Sequence, residues 1–416
     1  MTYHLITYGC QMNKSDSERI NSLLQDYDFK PSSMAKADFL ILNLCSVRQS
    51  AIDRVWGKIN NIKKINKKTK IILTGCILPS DKKKFANQAD LILNITDLSA
   101  WPKIINGLNP VKLDPSKYFS ITPTHNSNYE AFVPIMTGCN NFCSYCAVPY
   151  TRGREKSRPA KEIYEEVYTL IERGYKSIIL LGQNVNSYKD RSTDFPKLLK
   201  KIDSIKGDYW LNFMSSHPKD ISTQLINCFK TLTHLTPHIH FALQSGSDKI
   251  LKSMNRRYTA KKYVTLTEKL KKANPIISIT TDLIVGFPGE TKADFNKSAS
   301  LMRKANFDMV YTAMYSPRPN TAAQKLPDNV SRIEKKKREQ VLTKILAASA
   351  LKNNKKLAGQ TIRVLIDSTK NNYLIGKTNQ FKHVKIKGNN KKLIGKFIDI
   401  KISKATSWNL EGKLVK

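Results

Sequence analysis

Along the first hundred residues, short apolar runs alternate with longer amphipathic stretches. YHLITY (3–8), DFLILN (38–43), KIILTG (70–75) and DLILNI (90–95) are continuous enough to be strands covered on both faces. Helical spacing fills the intervals at 15–24 and 47–65. That order predicts a small doubly wound α/β domain over residues 1–110. Residues 109–130 hold Pro, Ser, Thr and Asn without a period and read as a linker. The alternation then resumes with AFVPIMT (131–137), SIILLG (177–182), YWLNFM (209–214), HIHFAL (238–243), IISITTDLIV (276–285) and DMVYTAM (308–314). In KEIYEEVYTLIERG, Ile163, Val167, Leu170 and Ile171 share one helix face, and Gly174 stops the helix. Six strand–helix units predict a partial (βα)6 barrel within 125–355, its site at the carboxyl ends of the strands. A charged helix over roughly 331–355 closes that core. The pattern changes again over 357–416, where TIRVLID, NYLIG, HVKIKG and GKFIDIKIS alternate apolar and polar positions. Ile398, Ile400 and Ile402 would face inward in a small all-β barrel, with Asp399 and Lys401 outside.

Charge adds a partner to this picture. Seventy basic against 33 acidic residues give a formal charge of +37. An excess of that size points to a polyanion, most readily nucleic acid. Lysine supplies 55 of the basic residues and arginine 15, in a chain also rich in Ile and Asn. A nucleotide bias that coats a solvated surface with lysine is the alternative, but the excess is larger than solubility requires, so nucleic acid is the expected partner. The C-terminal barrel divides in the same way, into a stabilising module or a platform for nucleic-acid backbone. The opening MTYHLITYGC lacks the basic and apolar regions of a signal peptide, and no apolar run reaches a membrane span. The expectation is a soluble, cytoplasmic protein.

The seven cysteines, an odd number, argue for metal chemistry over a disulfide framework. GCNNFCSYC places Cys139, Cys143 and Cys146 on one loop directly after the first barrel strand. Three thiolates leave an iron–sulfur cluster one open coordination position. A zinc knuckle completed by a distant ligand is the alternative. Cys10, Cys45 and Cys76 each end a strand of the first domain, in TYGC, ILNLC and LTGC. Parallel strands bring such positions to one sheet edge, so these three either converge or are separately buried. Cys228, beside Leu225, Phe229 and Leu232 at helical spacing, reads as core.

The motif set resembles the radical S-adenosylmethionine methylthiotransferases. CxxxCxxC carries Tyr145 at the aromatic position, and GCQMN (9–13), CSVR (45–48), CAVPYTRGRE (146–155), LGQNVNSY (181–188), SSHP (215–218), QSGSD (244–248), IVGFPGET (284–291) and SPRPNTAA (316–323) extend the match. The C-terminal segment is similar to the RNA-binding TRAM barrel. The details point to the branch acting on N6-isopentenyl(dimethylallyl)adenosine next to the tRNA anticodon. Leu44, where the family has Thr, and Asn320, where Gly is common, depart from the pattern.

The resemblance implies two [4Fe–4S] clusters: a radical-generating one on Cys139, Cys143 and Cys146, and an auxiliary one on Cys10, Cys45 and Cys76. One S-adenosylmethionine methylates the sulfur to be inserted, and a second yields the radical that takes hydrogen from carbon 2. Tyr145, Gln183, Asn184, Ser216, Gln244, Ser245, Gly286 and Phe287 are implied to line the S-adenosylmethionine pocket. For Gly286, with Pro288 and Gly289, a tight strand-to-helix turn is the competing role. RNA contacts are expected from Arg152, Arg154 and Arg158 and from barrel lysines Lys382, Lys385, Lys387 and Lys396. Arg152 and Arg154, close to Cys146, are expected to orient the substrate or S-adenosylmethionine. Implied partners are the tRNA anticodon arm, an electron donor such as flavodoxin or ferredoxin, and proteins supplying sulfur and clusters, around a monomer. Rival readings are a methylthiotransferase of another branch, acting on a ribosomal protein or threonylcarbamoyl-adenosine, and a non-catalytic iron–sulfur RNA-binding protein.

Overall fold

In the computed structural model of the chain, residues 1–47, 49–107 and 115–415 are described. Arg48 of CSVR and residues 109–114 of the expected linker lie outside that range.

Strands β1 (Thr2–Tyr8), β2 (Phe39–Cys45) and β3 (Lys70–Cys76) form the parallel centre of the first sheet. Short parallel edges at Lys30–Pro31 and Leu91–Ile92 flank them. All seven residues of β2 are buried, which is why its sequence shows no alternation. Tyr3, Ile41 and Ile72 pack with Ile20 and Leu24 of helix α1 (Gln11–Asp26) on one face. Leu40, Leu42, Leu44 and Leu73 meet Ile52, Val55 and Ile59 of α2 (Gln49–Ile65) on the other. The register sets Cys45 directly opposite Cys76.

The second body carries six parallel strands in two groups of three: β4 (Glu130–Pro134), β5 (Ser177–Leu181) and β6 (Trp210–Phe213), then β7 (His238–His240), β8 (Ser278–Val285) and β9 (Met309–Met314). Isolated bridges between Leu211 and Leu235 and between Ser216 and Phe241 join the groups into one curved sheet. Among the described residues no pairing joins β4 to β9, so the barrel is open, as the six units predict. Helices α3 (Ala160–Glu172), α4 (Phe195–Asp203), α5 (Thr223–Thr231), α6 (Ala260–Ala273) and α7 (Lys292–Ala305) cover the outside, and α8 (Arg332–Lys355) packs on α7 and β9. Cys228 is fully buried in this core. Phe132, Ile179 and Leu181 point to a separate cluster that takes in Met12 of α1 and Phe381 of the C-terminal barrel. All three parts of the chain therefore meet at the half-barrel.

The C-terminal barrel is closed in the order β10 (Thr361–Lys370), β11 (Tyr373–Thr378), β12 (His383–Lys387), β14 (Leu410–Leu414), β13 (Phe397–Ala405). Ile400 and Ile402 point inward as expected, whereas Ile398 is only partly buried. β14 closes the barrel, and LEGKL gave the sequence pattern no sign of it. The barrel is docked on the core: Phe397 packs on Trp210 with centroids 4.6 Å apart, and the Tyr129 hydroxyl donates to the Asp367 carbonyl at 2.7 Å. No helix of the described residues is long and apolar enough to cross a membrane.

Candidate functional site

The loop of the first cysteine triad is pinned at its base and across its middle. Met136–Thr137 pairs antiparallel with Lys156–Ser157, and the Cys139 amide donates to the Gly153 carbonyl at 3.2 Å. Gly138 adopts φ +77°, and a Cβ there would run into the Arg154 carbonyl, so this turn takes only glycine. Ser144 donates to the Ser253 carbonyl at 2.8 Å, and Asn255 to the Phe142 carbonyl at 3.0 Å. Cys139, Cys143 and Cys146 are half-buried. Burial pushes the Cys146 thiol up to about 12 and raises Cys139. These groups become thiolates when a metal's charge compensates them. Buried Arg256 donates to the Cys143 sulfur at 3.5 Å, with its Nε on the Tyr258 hydroxyl at 2.9 Å. Arg256 belongs to no motif that the sequence reading singled out. Tyr145 packs against Ile250, Met254, Phe287 and Tyr315.

Beside this loop, the carboxyl ends of β5 and β6 present a row of buried polar atoms without partners: Gln183 Oε1, Asn184 Oδ1, Ser216 Oγ and His217 Nε2. Asn184 is held by Asp220 at 2.8 Å, and His217 by its backbone pairing with Asn186. The His217 Nδ1 accepts from the Lys219 amide at 3.2 Å, which puts the ring proton on Nε2. Burial, then Arg256 and Lys219, lower its pKa to about 2, so the ring is neutral. The row thus offers acceptors and donors to a polar ligand. Buried atoms of this kind require partners, and an amino-acid-bearing cosubstrate such as S-adenosylmethionine would supply them. His217 stood inside SSHP but was not singled out.

Four further residues expected in the pocket are held by the fold itself. Ser245 is fully buried, its Oγ accepting from the Ser247 amide at 3.2 Å and lying 3.5 Å from Ser298 on α7. Phe287 is fully buried in the cluster beneath Tyr145. Gly286, at φ +67°, donates its amide to Glu290 at 2.6 Å and makes the β8-to-α7 turn. Gln244 is buried with φ +70°, its amide on the Asp282 carbonyl at 2.8 Å.

The second triad sits at the carboxyl edge of the first sheet. Cys45 and Cys76 are buried side by side, and Cys10 stands exposed at the start of α1. Asn13 receives the Cys10 amide at 3.2 Å and donates to Asn43 at 2.9 Å, whose own amide reaches Ser17 at 2.9 Å. A hydrogen bond from Cys45, joined by the adjacent Arg152 guanidinium, holds the Cys76 thiol below its ordinary range, to about 6, against the opposing effect of burial. Cys45 is pushed up in turn, by its hydrogen bond to Cys76 and by burial. Among the described residues no three such donors gather closely enough for a single ion. A four-iron cube asks for wider spacing, one thiolate to each iron.

The basic residues divide sharply. Arg152 is buried: its Nε donates to Cys76 at 2.9 Å and its Nη2 to Asp16 at 2.6 Å. Arg158 is buried between Glu162 and Glu166. Lys382 is paired with Asp308 at 2.6 Å and Asn354 at 2.9 Å. None of these three is free to meet a phosphate, which corrects the sequence expectation. Arg154 is exposed, its guanidinium 4.3 Å from the Phe142 ring centroid, and Lys385, Lys387 and Lys396 are exposed on the barrel. A cavity of about 730 Å³ opens beside this region, with Phe119, Tyr150, Arg152, Arg154 and Lys156 in its wall.

Comparison with known proteins gives three family matches in chain order: uncharacterized protein family UPF0004 over residues 2–95, the radical SAM superfamily over 133–302 and the TRAM domain over 355–415. A tRNA-2-methylthio-N(6)-dimethylallyladenosine synthase from Caldicellulosiruptor saccharolyticus is 40% identical over 436 residues, covering 100% of this chain and 92% of that protein. The chain belongs to this family of synthases. A synthase of the same name from Clostridium tetani is 38% identical, covering 100% of this chain and 96% of its own. Among solved structures, the radical S-adenosylmethionine methyltransferase TsrM from Kitasatospora setae superposes with a TM-score of 0.54 at 11% identity, covering 78% of this chain and 75% of that one. The cobalamin-dependent radical enzyme OxsB gives a TM-score of 0.52 at 10% identity, covering 82% and 55%. Those two likenesses show the fold. Family membership makes this chain a radical S-adenosylmethionine enzyme that inserts sulfur, with [4Fe–4S] clusters and S-adenosylmethionine as cofactors.

Proposed function

We propose that the chain adds a methylthio group to carbon 2 of N6-isopentenyl(dimethylallyl)adenosine beside the anticodon of tRNA, in the cytoplasm. The supporting observation is a pair of three-cysteine sets, each at the carboxyl ends of its own parallel sheet, with α1 packed between the sheets. Cys139, Cys143 and Cys146 would hold the cluster that reduces S-adenosylmethionine, and Cys10, Cys45 and Cys76 the auxiliary one. When bound, these groups supply the electron, the radical and the sulfur, and the protein supplies position and exclusion of water.

The chain's own residues carry the rest. Gln183, Asn184, Ser216 and His217 bind and orient the cosubstrate through their unpartnered atoms. Neutral His217 acts there as an Nε2–H donor, not as an acid. Exposed Arg154, Lys385, Lys387 and Lys396 take the tRNA phosphates. A flavodoxin or ferredoxin would deliver electrons, and separate proteins the sulfur and the clusters. We take a monomer as the working form.

The test is a pair of triple variants reconstituted without oxygen. Changing Cys139, Cys143 and Cys146 to Ala should remove about half of the iron and abolish 5′-deoxyadenosine formation. Changing Cys10, Cys45 and Cys76 should remove the other half and leave that cleavage measurable. Full iron in either folded variant would refute the assignment. Nucleoside mass spectrometry of tRNA from a deletion strain reads the product itself.

A further inference from the structure

Arg152 leaves the core domain and ends inside the first. Its Nε lies 2.9 Å from the Cys76 sulfur, and its Nη2 2.6 Å from Asp16 on α1. The second Asp16 oxygen receives the Tyr118 hydroxyl at 2.5 Å, so the carboxylate is itself fixed. Arg152 and Asp16 are both buried, and the side chains of both are almost wholly shielded from solvent. A lone guanidinium so placed would be costly to bury, and its carboxylate alone offers compensation on one side only. The sulfur receives the Nε–H on another side of the guanidinium. A second core arginine, Arg318, crosses the same boundary to Gln49 at 2.9 Å but reaches no sulfur.

We propose that Arg152 is a positioning residue for the auxiliary cluster, donating an N–H to the Cys76 sulfur across the domain boundary and setting the cluster's reduction potential. This rests on the reading that Cys10, Cys45 and Cys76 hold a [4Fe–4S] cluster. Three thiolates on a four-iron cube leave it negatively charged, and reduction adds one more negative charge. A fixed cation and an N–H···S hydrogen bond both favour the reduced form, so they raise the potential. Asp16 opposes part of that charge and keeps the guanidinium aimed. Because the donor belongs to the core and the acceptor to the first domain, the potential depends on the two being docked. Cys143 and Arg256 repeat the pattern within the core alone, at the longer distance of 3.5 Å.

The experiment uses the full chain with Cys139, Cys143 and Cys146 changed to Ala, so that one cluster remains. It is reconstituted, its iron counted, and its reduced form followed by electron paramagnetic resonance through a dye-mediated redox titration. Arg152→Gln should move the midpoint to more negative potential, and Arg154→Gln, two residues along and exposed, should leave it in place. A fully loaded Arg152→Gln protein with the parent's midpoint would overturn the proposal. If Arg152→Gln holds no iron, Asp16→Asn is read instead: removing the carboxylate leaves a less compensated cation at the sulfur and should shift the midpoint positive. No shift in a loaded Asp16→Asn protein would also overturn it. A folded parent that binds no iron would instead defeat the underlying assignment of the second triad, which separates the two failures.

Discussion

Two histidines of the half-barrel show how burial fixes a protonation state. His217 at the site is lowered to about 2, and His238 at the foot of β7 to about 3, in both cases chiefly by desolvation. His238 is enclosed by Asn212 and Thr280 and stacks on Phe381 at 4.6 Å. A free imidazole titrates near ~6.5, so on acidification the unfolded chain takes up protons before the folded one does. The stabilising effect of neutral His238 is complete above ~6.5 and declines as pH falls from there towards 3. Between pH 7 and 5.5 the folded state should lose about 1 kcal/mol through each such histidine. In His238→Asn, which keeps a polar partner for Thr280 or Asn212, that loss should shrink by about 1 kcal/mol in urea titrations of the apo protein. Equal losses in parent and variant would show that His238 does not titrate in this way. Nothing in HIHFAL announces this environment, because the burying residue, Phe381, arrives from another part of the chain. The same distance hides Arg152, whose partner Asp16 lies 136 residues away. Its motif placed it near the chemistry, but only packing shows that it faces sulfur and not phosphate.

At the scale of elements, sequence revealed two kinds of strand: continuous apolar runs such as the buried β2 and β3, and the alternating strands of the C-terminal barrel. β2 and β3 hold their apolar runs because helices cover each side, and the ladder then delivers Cys45 and Cys76 as neighbours. β14 stayed hidden because Glu411, Gly412 and Lys413 break any apolar run, and Gly412 is required by close approach to Ile400 and the Lys401 carbonyl. Cysteine placement at strand ends and the C-terminal barrel itself were therefore legible, while the strand that closes the barrel was not. One backbone position makes the first of these testable. Gly75, just before Cys76, has φ +100°, and a Cβ there would strike the Leu44 carbonyl of β2. Gly174, after α3, has φ +84° with open space around the same position. Ala at Gly174 should cost about 1 kcal/mol from conformation alone. Ala at Gly75 carries that strain plus a backbone collision, so it should cost more than about 2 kcal/mol. It should also cut the iron held by the first domain, because β2 and β3 must separate where Cys45 and Cys76 meet. Urea unfolding and iron per chain, measured on both variants, distinguish strain from collision. Equal behaviour of the two would refute the argument.

For the whole molecule, the question is where a +37 chain directs its charge. Part of it is structural: Lys382 to Asp308 and Arg363 to Asp208 fasten the C-terminal barrel to the core at 2.6 Å each. Phe397 on Trp210 and Phe381 on His238 complete that interface. Removing residues 357–416 would expose this apolar and charged seam, so weaker tRNA binding on truncation would not isolate the role of phosphate recognition. The outward face of β12 offers a cleaner probe. There His383, Lys385 and Lys387 alternate with the buried Val384 and Ile386, and Lys396 is exposed just before β13. Lysines on such a surface act as point charges on the phosphate backbone, giving affinity without base preference. Neutralising one lysine that pairs with a phosphate should flatten the log–log dependence of tRNA affinity on salt by roughly 0.7–0.9. Lys385→Gln, Lys387→Gln and Lys396→Gln combined should therefore lower the slope by about 2 and weaken binding alike for modified and unmodified anticodon arms. Lys382→Gln should act differently, lowering thermal stability through the unpaired Asp308 while leaving the salt slope near the parent's. A triple variant that binds tRNA with the parent's affinity and slope would remove this face of the barrel from the RNA interface.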